Sequence, residues 1–339
     1  MKTGVVGASG YTGGELLRLL AGHPLFEPAL ITAHANAGEL ITSLHPQLDH
    51  YGDQKFAALD ISQLQDCELV FLAMPHGESA KIAGQLSPEQ LVVDLGADFR
   101  LRSSVGWSKY YGGEHAGTWI YGLPELQNAR DRISRSKKVA NPGCYATAVA
   151  LAIAPILGSI DAGDIVAVAA SGTTGAGRSL KAALLASEVT GSLSSYKFGG
   201  AHQHIPEIEE ALAHISGSKV TLSFTPILAP MPRGILATVT AKASGPINES
   251  DLRATFESQY GNEEFVTLLP IGQMPRTASV LGSNRAQIQC AFDTHSNRVV
   301  VSIAIDNLGK GAAGQAIQNA NLMAGIAENS GLSMRGIGV

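Results

Sequence analysis

Gly4-Val5-Val6-Gly7-Ala8-Ser9-Gly10-Tyr11-Thr12-Gly13-Gly14-Glu15-Leu16-Leu17-Arg18-Leu19-Leu20 follows the first three residues of the chain. A short apolar run, Gly4–Gly7, reads as a strand, and Leu16–Leu20 supplies the core stripe of a helix that Gly22-His23-Pro24 stops. Between them, Gly7, Gly10 and Gly13 are spaced G-x-x-G-x-x-G, a variant of G-x-G-x-x-G with Ala8 in its first slot. Glycine there lets the backbone turn tightly and approach a pyrophosphate, whose charge the helix start stabilises. Strand before and helix after is the context the motif requires. The reading assigns Gly7, Ser9, Gly10, Tyr11, Thr12 and Gly13 to a nucleotide site.

Working outward, Ala29–Thr32 reads as the second strand. Glu68–Ala73 and Leu91–Leu95 are continuous apolar runs, as expected of strands covered on both faces. The alternation of strands with helices predicts an α/β, Rossmann-type doubly wound parallel sheet. After the second strand the chain reads Thr32-Ala33-His34, with no carboxylate to repel a 2′-phosphate, so Thr32 and His34 favour NADP over NAD. Pro75 and His76 close another strand on its carboxyl side and are placed beside the cofactor.

The 339 residues suffice for two domains with proper cores. They are 45% hydrophobic and 16% charged, with 38 glycines, which describes a loop-rich enzyme rather than a disordered chain. A net charge of −5 offers no basic field for nucleic acid or an anionic membrane. The most apolar stretch, Ala146–Leu157, contains Pro155 and falls short of the ~20 residues that span a bilayer. Cys67, Cys144 and Cys290 are too few and scattered for a disulfide framework or a Cys-based zinc site. With no leader visible, a reducing, cytoplasmic location is expected.

Cys144 stands in Asn141-Pro142-Gly143-Cys144-Tyr145, where a strand (Lys138–Ala140) gives way to a helix running from about Tyr145 toward Pro155. A free cysteine is ordinarily a buried small hydrophobe. A thiol at a helix start instead loses its proton more easily, and the thiolate is the nucleophile. Beyond Cys144, strand-like runs with irregular connections predict a second, mixed-sheet domain. His202 and His204 precede a helix opening at Pro206; in an extended segment both rings would face one way. One of them is the expected acid/base, with His204 favoured as nearer the helix start. No third or fourth ligand is apparent, so no metal is assigned. Ser171-Gly172-Thr173-Thr174-Gly175-Ala176-Gly177-Arg178 follows a strand, is expected to open a helix and suits an anion, with Arg233 and Arg100 as further guanidinium candidates. The tail Lys310–Ala327 reads as one small-residue helix returning to the first domain.

The nucleotide turn, Asn141–Thr147, the Ser171–Arg178 loop, His202-Gln-His-Ile-Pro-Glu-Ile208, Pro232-Arg-Gly234 and Asp306-Asn-Leu-Gly-Lys-Gly-Ala-Ala313, in this order, resemble the N-acetyl-γ-glutamyl-phosphate reductases of arginine biosynthesis. These are related to aspartate-semialdehyde dehydrogenase. The resemblance implies NADPH-dependent reduction of an acyl phosphate to N-acetylglutamate 5-semialdehyde, with Cys144 as nucleophile through a thioester. It also implies Arg100, Asn141, Ser171, Gly172, Arg178, Glu207 and Arg233 as substrate residues, and a homodimer or homotetramer. The expected division is a nucleotide domain over 1–144, joined by a helix from about 311–339, and a glyceraldehyde-3-phosphate-dehydrogenase-like α+β domain over 145–310. Relatives often carry serines and an arginine after the second strand, where this chain has Thr32-Ala33-His34. The alternatives are an aspartate-semialdehyde or glyceraldehyde-phosphate-type dehydrogenase, a non-enzymatic NADP-binding redox sensor switched at Cys144, and a cysteine hydrolase.

Overall fold

The computed structural model describes residues 1–338, and the chain forms two compact units. The first comprises Met1–Pro124, Asn128–Pro142 and Ala312–Leu332. Its sheet contains β1 (Lys2–Val6), β2 (Glu27–Thr32), β3 (Leu69–Leu72), β4 (Leu91–Asp94), β5 (Ile120–Tyr121) and β6 (Lys138–Ala140). The order is β2-β1-β3-β4-β6-β5, parallel throughout. β3 and β4 are buried at every position, which is why they read as unbroken apolar runs. Helix α1 (Tyr11–Ala21) leaves β1 at the point where the strand order reverses, between β2 and β3.

A late helix, Gly314–Met323, packs on β4 and α1. Its small residues allow a close approach, and its buried polar side chains reach neighbouring backbone. Asn319 Nδ2 donates to the Gly122 carbonyl at 2.9 Å and to Asn141 Oδ1 at 3.0 Å. The expected single helix over 310–327 is instead a π-helical turn, Gly309–Ala313, followed by this helix. The π turn arises because Gly311 N–H reaches back to the Asp306 carbonyl at 2.9 Å, while a side chain at Gly309 would strike the Ser283 carbonyl.

The second unit takes Glu125–Gln127, Gly143–Gly311 and the chain from Ser333 onward. Its sheet adds β7 (Ile165–Ser171), β8 (Ser194–Ser195), β9 (Leu222–Leu228), β10 (Ile235–Lys242), β11 (Val266–Leu268), β12 (Ala286–Asp293) and β13 (Arg298–Ile305). The order is β11-β12-β13-β10-β7-β9-β8, with parallel and antiparallel pairs mixed. Alternate residues of β10 (Ile235, Ala237, Val239, Ala241) are buried, so one face is core. The helix Cys144–Ile153 lies against β10, β13 and the helix His204–Ser216, buried from Tyr145 to its end. Glu125 is held in this unit by a fully buried ion pair with Lys310 at 2.5 Å.

Candidate active site

The glycine turn is shaped by what surrounds each missing side chain. Gly7 has φ +82°, and a Cβ there would strike the Ala73 carbonyl. A Cβ at Gly13 would lie 2.5 Å from Ala8 Cα. Gly10, by contrast, faces open space, with nothing nearer than the Gly7 carbonyl at 3.8 Å. Two glycines therefore close the turn, and the third leaves its outer side accessible. The Thr32 carbonyl at the end of β2 accepts from Gly7 N–H and Ala8 N–H at 3.1 and 2.9 Å, while its buried hydroxyl oxygen has no hydrogen-bond partner. An open glycine backbone, the first turn of α1 and an orphaned hydroxyl at the ribose end fit a dinucleotide. His34, Pro75 and His76 are exposed. Asp98 organises the turn holding Pro75 and His76: its carboxylate accepts from Gly77 N–H at 2.6 Å and Ala80 N–H at 2.9 Å.

Cys144 is the first residue of its helix and is partly exposed, whereas Cys67 and Cys290 are buried. Burial pushes the Cys67 thiol up, and pushes that of Cys290 to about 11. The preceding residue, Gly143, donates its N–H to the buried carboxylate of Glu207 at 2.7 Å. Such a charge-assisted bond is worth about 1.5–3 kcal/mol and fixes the peptide entering the nucleophile. From the other side, Gly311 leaves no room for a side chain, since a Cβ there would lie 2.8 Å from Cys144 Cβ.

The residues from His202 to His204 are not extended, because Gln203 is in the right-handed helical region and His204 begins the helix. The turn itself brings the rings together, 4.8 Å apart and nearly perpendicular. His202 is buried, and its Nδ1 accepts from His204 N–H at 3.1 Å. Burial, with His204 and Lys197 adding, drives His202 down to about 2. Tyr145 meets both imidazoles edge-on, and its hydroxyl lies 2.9 Å from that of Tyr196. Burial pushes Tyr145 well up and Tyr196 up to about 12, and the Cys144 charge adds to both. Tyr196 lies in an exposed Ser- and Gly-rich run, where nothing local marks it as part of a site.

The arginines divide by their partners. Arg100 donates to the carbonyls of Asn141 (2.7 Å) and Leu95 (2.8 Å), tying the residue after β6 to the end of β4. Asn141 is buried and bonds Ala312 and Asn319. Arg233 pairs with buried Asp306 at 2.8 Å. Arg178 is exposed. The Ser171–Arg178 loop opens a 3-10 turn (Thr173–Ala176) rather than an α-helix. Its N–H groups are also not an anion nest: Gly172, Thr173 and Thr174 donate to the carbonyls of Gly234, Met231 and Pro232. Gly172 is required there, because a Cβ would lie 2.7 Å from the Pro232 carbonyl. The buried Ser171 hydroxyl donates to the Gly172 carbonyl at 3.2 Å.

Residues 2–135 match the family model described as semialdehyde dehydrogenase, NAD binding domain, and 144–307 match semialdehyde dehydrogenase, dimerisation domain. The chain is 56% identical to the N-acetyl-gamma-glutamyl-phosphate reductase of Acidothermus cellulolyticus, over 99% of this chain and 98% of that one. It is 51% identical to the reductase of the same name from Streptomyces coelicolor, over 99% of both. In fold it is similar to aspartate semialdehyde dehydrogenase II of Vibrio cholerae, with TM-score 0.71 at 14% identity, covering 95% of this chain and 98% of that one. Aspartate semialdehyde dehydrogenase of Candida albicans, solved with NADP, gives TM-score 0.68 at 16% identity, with 97% and 99% covered. The chain belongs to the N-acetyl-gamma-glutamyl-phosphate reductase family.

Proposed function

We propose that the chain reduces N-acetyl-γ-glutamyl phosphate to N-acetylglutamate 5-semialdehyde and phosphate, within arginine biosynthesis, with NADPH as reductant. The observation that carries the reading is the partly exposed Cys144 at a helix start, entered through a peptide fixed by Glu207. Gly7, Ser9, Gly10, Tyr11, Thr12, Gly13 and Thr32 would hold the nucleotide, with His34, Pro75 and His76 along its exposed flank. When bound, NADPH supplies the hydride that reduces the acyl group.

The Cys144 thiolate, stabilised at the helix start, attacks the γ-carbonyl carbon; the carbon–oxygen bond to phosphate breaks and a thioester remains. Splitting the reaction this way replaces one hard displacement with two easier ones. After reduction, collapse of the thiohemiacetal releases aldehyde and returns the electron pair to sulfur. His204 moves the proton in this cycle. His202 is held neutral by its burial and takes up a proton poorly, so it serves by fixing the His204 backbone, whose N–H it accepts at 3.1 Å. Glu207, Asn141 and Arg100 position the nucleophile's entry peptide rather than grip substrate. Arg178, and Arg233 steadied by Asp306, are the candidates for the substrate's anionic groups, with Ser171 and Gly172 shaping the wall between them.

The protein works as a homo-oligomer through the second unit, whose outer sheet face exposes Val168 (40%) and Leu236 (38%). Among the described residues no helix is long and apolar enough to cross a membrane. A free nucleophilic thiol persists best in a reducing compartment, which supports a cytoplasmic location.

Mass spectrometry of the protein mixed with N-acetyl-γ-glutamyl phosphate without NADPH should find an acyl adduct on Cys144. The Cys144→Ser variant should bind NADPH, form no thioester and lose nearly all turnover. An unmodified Cys144 in the trapping experiment, or full turnover by the variant, would overturn the covalent scheme. Cofactor binding without steady turnover would instead support the redox-sensor reading.

A further inference from the structure

The nucleotide turn is gripped from behind by a residue outside its motif. His45 follows α2 (Ile41–Leu44) and is buried, with its Nε2 2.9 Å from the Ala8 carbonyl. A carbonyl can only accept, so Nε2 carries the hydrogen and donates. The His45 backbone is fixed on its own account, since its N–H donates to the Ile41 carbonyl at 2.9 Å. Pro46 follows and disfavours the helical region for His45, which lies at φ −127° and ψ 72°. Phe56 meets the imidazole nearly perpendicular, with centroids 6.2 Å apart.

The ring occupies a slot that exists because residue 14 is glycine. A Cβ at Gly14 would overlap the imidazole, with Nε2 only 3.0 Å away and Cε1 and Nδ1 nearer still. Gly14 has an ordinary φ and lies one residue past the G-x-x-G-x-x-G spacing, so neither backbone conformation nor phosphate approach accounts for it. The imbalance between Gly10, which faces open space, and Gly14, which faces a ring, separates the ligand side of the turn from the braced side.

The consequence follows from peptide geometry. Among the described residues there are no cis peptide bonds, and the C=O and N–H of a trans peptide point opposite ways. With the Ala8 carbonyl drawn to His45, the N–H of Ser9 is aimed away from it. We propose that His45 is a positioning residue of the nucleotide site: seated in the slot left by Gly14, it sets the Ala8–Ser9 peptide so that its N–H faces the NADPH pyrophosphate. This rests on reading the Gly7–Gly13 turn as the nucleotide site.

The test is direct titration of NADPH into full-length protein by fluorescence, alongside steady-state kinetics and circular dichroism. His45→Leu removes the donor and should raise the NADPH dissociation constant about three- to tenfold, the scale of one net hydrogen bond. KM for NADPH should rise with it, with kcat at saturating cofactor near wild type. His45→Gln restores an amide donor and should recover most of the affinity. A folded His45→Leu protein that binds NADPH as tightly as wild type overturns the proposal. A second arm holds even if that variant does not fold. Gly14→Ala should weaken NADPH binding strongly in the wild-type background and much less in a His45→Ser background. Equal weakening in both backgrounds overturns the proposal. Failure of the wild-type protein to bind NADPH would instead strike the nucleotide site itself, and the brace with it.

Discussion

His202 and His204 are separated by one residue and differ in the properties that govern proton transfer. Burial, with His204 and Lys197 adding, keeps the first imidazole neutral, its Nδ1 accepting a backbone hydrogen; the second is half-buried at a helix start. A positioned acid/base commonly contributes about 10²–10⁴-fold. We predict that His204→Ala lowers kcat by about 10²-fold or more and flattens the pH dependence of turnover, while His202→Ala has the smaller effect. Initial rates across pH decide it, and the reverse ranking would move the proton-transfer role to His202. The pairing itself was legible in the His-x-His spacing, but its geometry was not. An extended segment and a helical turn both bring such rings close, and only the φ and ψ of Gln203 distinguish them.

Among the elements, the π turn Gly309–Ala313 matters most to the nucleophile. It presses Gly311 onto Cys144, and its two flanks are tied down by the Gly311–Asp306 backbone bond and the buried Lys310–Glu125 pair. Inserting a methyl into so close an approach costs about 1–3 kcal/mol through local shifts. Gly311→Ala should therefore reduce both kcat and the rate of Cys144 alkylation by iodoacetamide, while NADPH affinity stays near wild type. Unchanged alkylation and turnover would show that the helix start tolerates the intrusion. Lys-Gly-Ala-Ala-Gly reads as helix because its residues are small, and nothing local announces that Asp306 will capture Gly311. β3 and β4, by contrast, could be read directly, since strands covered on both faces have no polar alternation to confuse. β12, whose Ala286-Gln-Ile-Gln-Cys290 alternates apolar and polar side chains at the period of a strand, carries Ala286, Ile288 and Cys290 on its buried face. Glu207 was visible as a candidate, but its partner is a backbone N–H sixty-four positions away.

For the molecule as a whole, the acid response of the first unit is written at the end of β4. Asp94 is fully buried there, and burial pushes its carboxyl up to about 6 from an ordinary 3.8. An acid with a raised folded value takes up its proton in the native state first, so stability falls as pH climbs from about 4 to 6. At ~1.36 kcal/mol per unit, the ionised group costs the native state about 3 kcal/mol above pH 6. Asp94→Asn should accordingly be more stable than wild type at pH 8, with the advantage gone below about pH 4. Thermal unfolding across that range checks it, and a variant no more stable at pH 8 would count against the buried charge.

The late helix Gly314–Met323 belongs with strands made some two hundred residues earlier, and its Asn319 bridges Gly122 and Asn141. Synthesis runs from the amino end, so the nucleotide-binding half emerges first yet lacks a structural wall until translation is almost finished. A premature stop near residue 310 would thus do more than shorten the tail. It would strand the opening hundred and forty residues with one flank of their sheet unclothed, leaving the cell a fragment for its proteases.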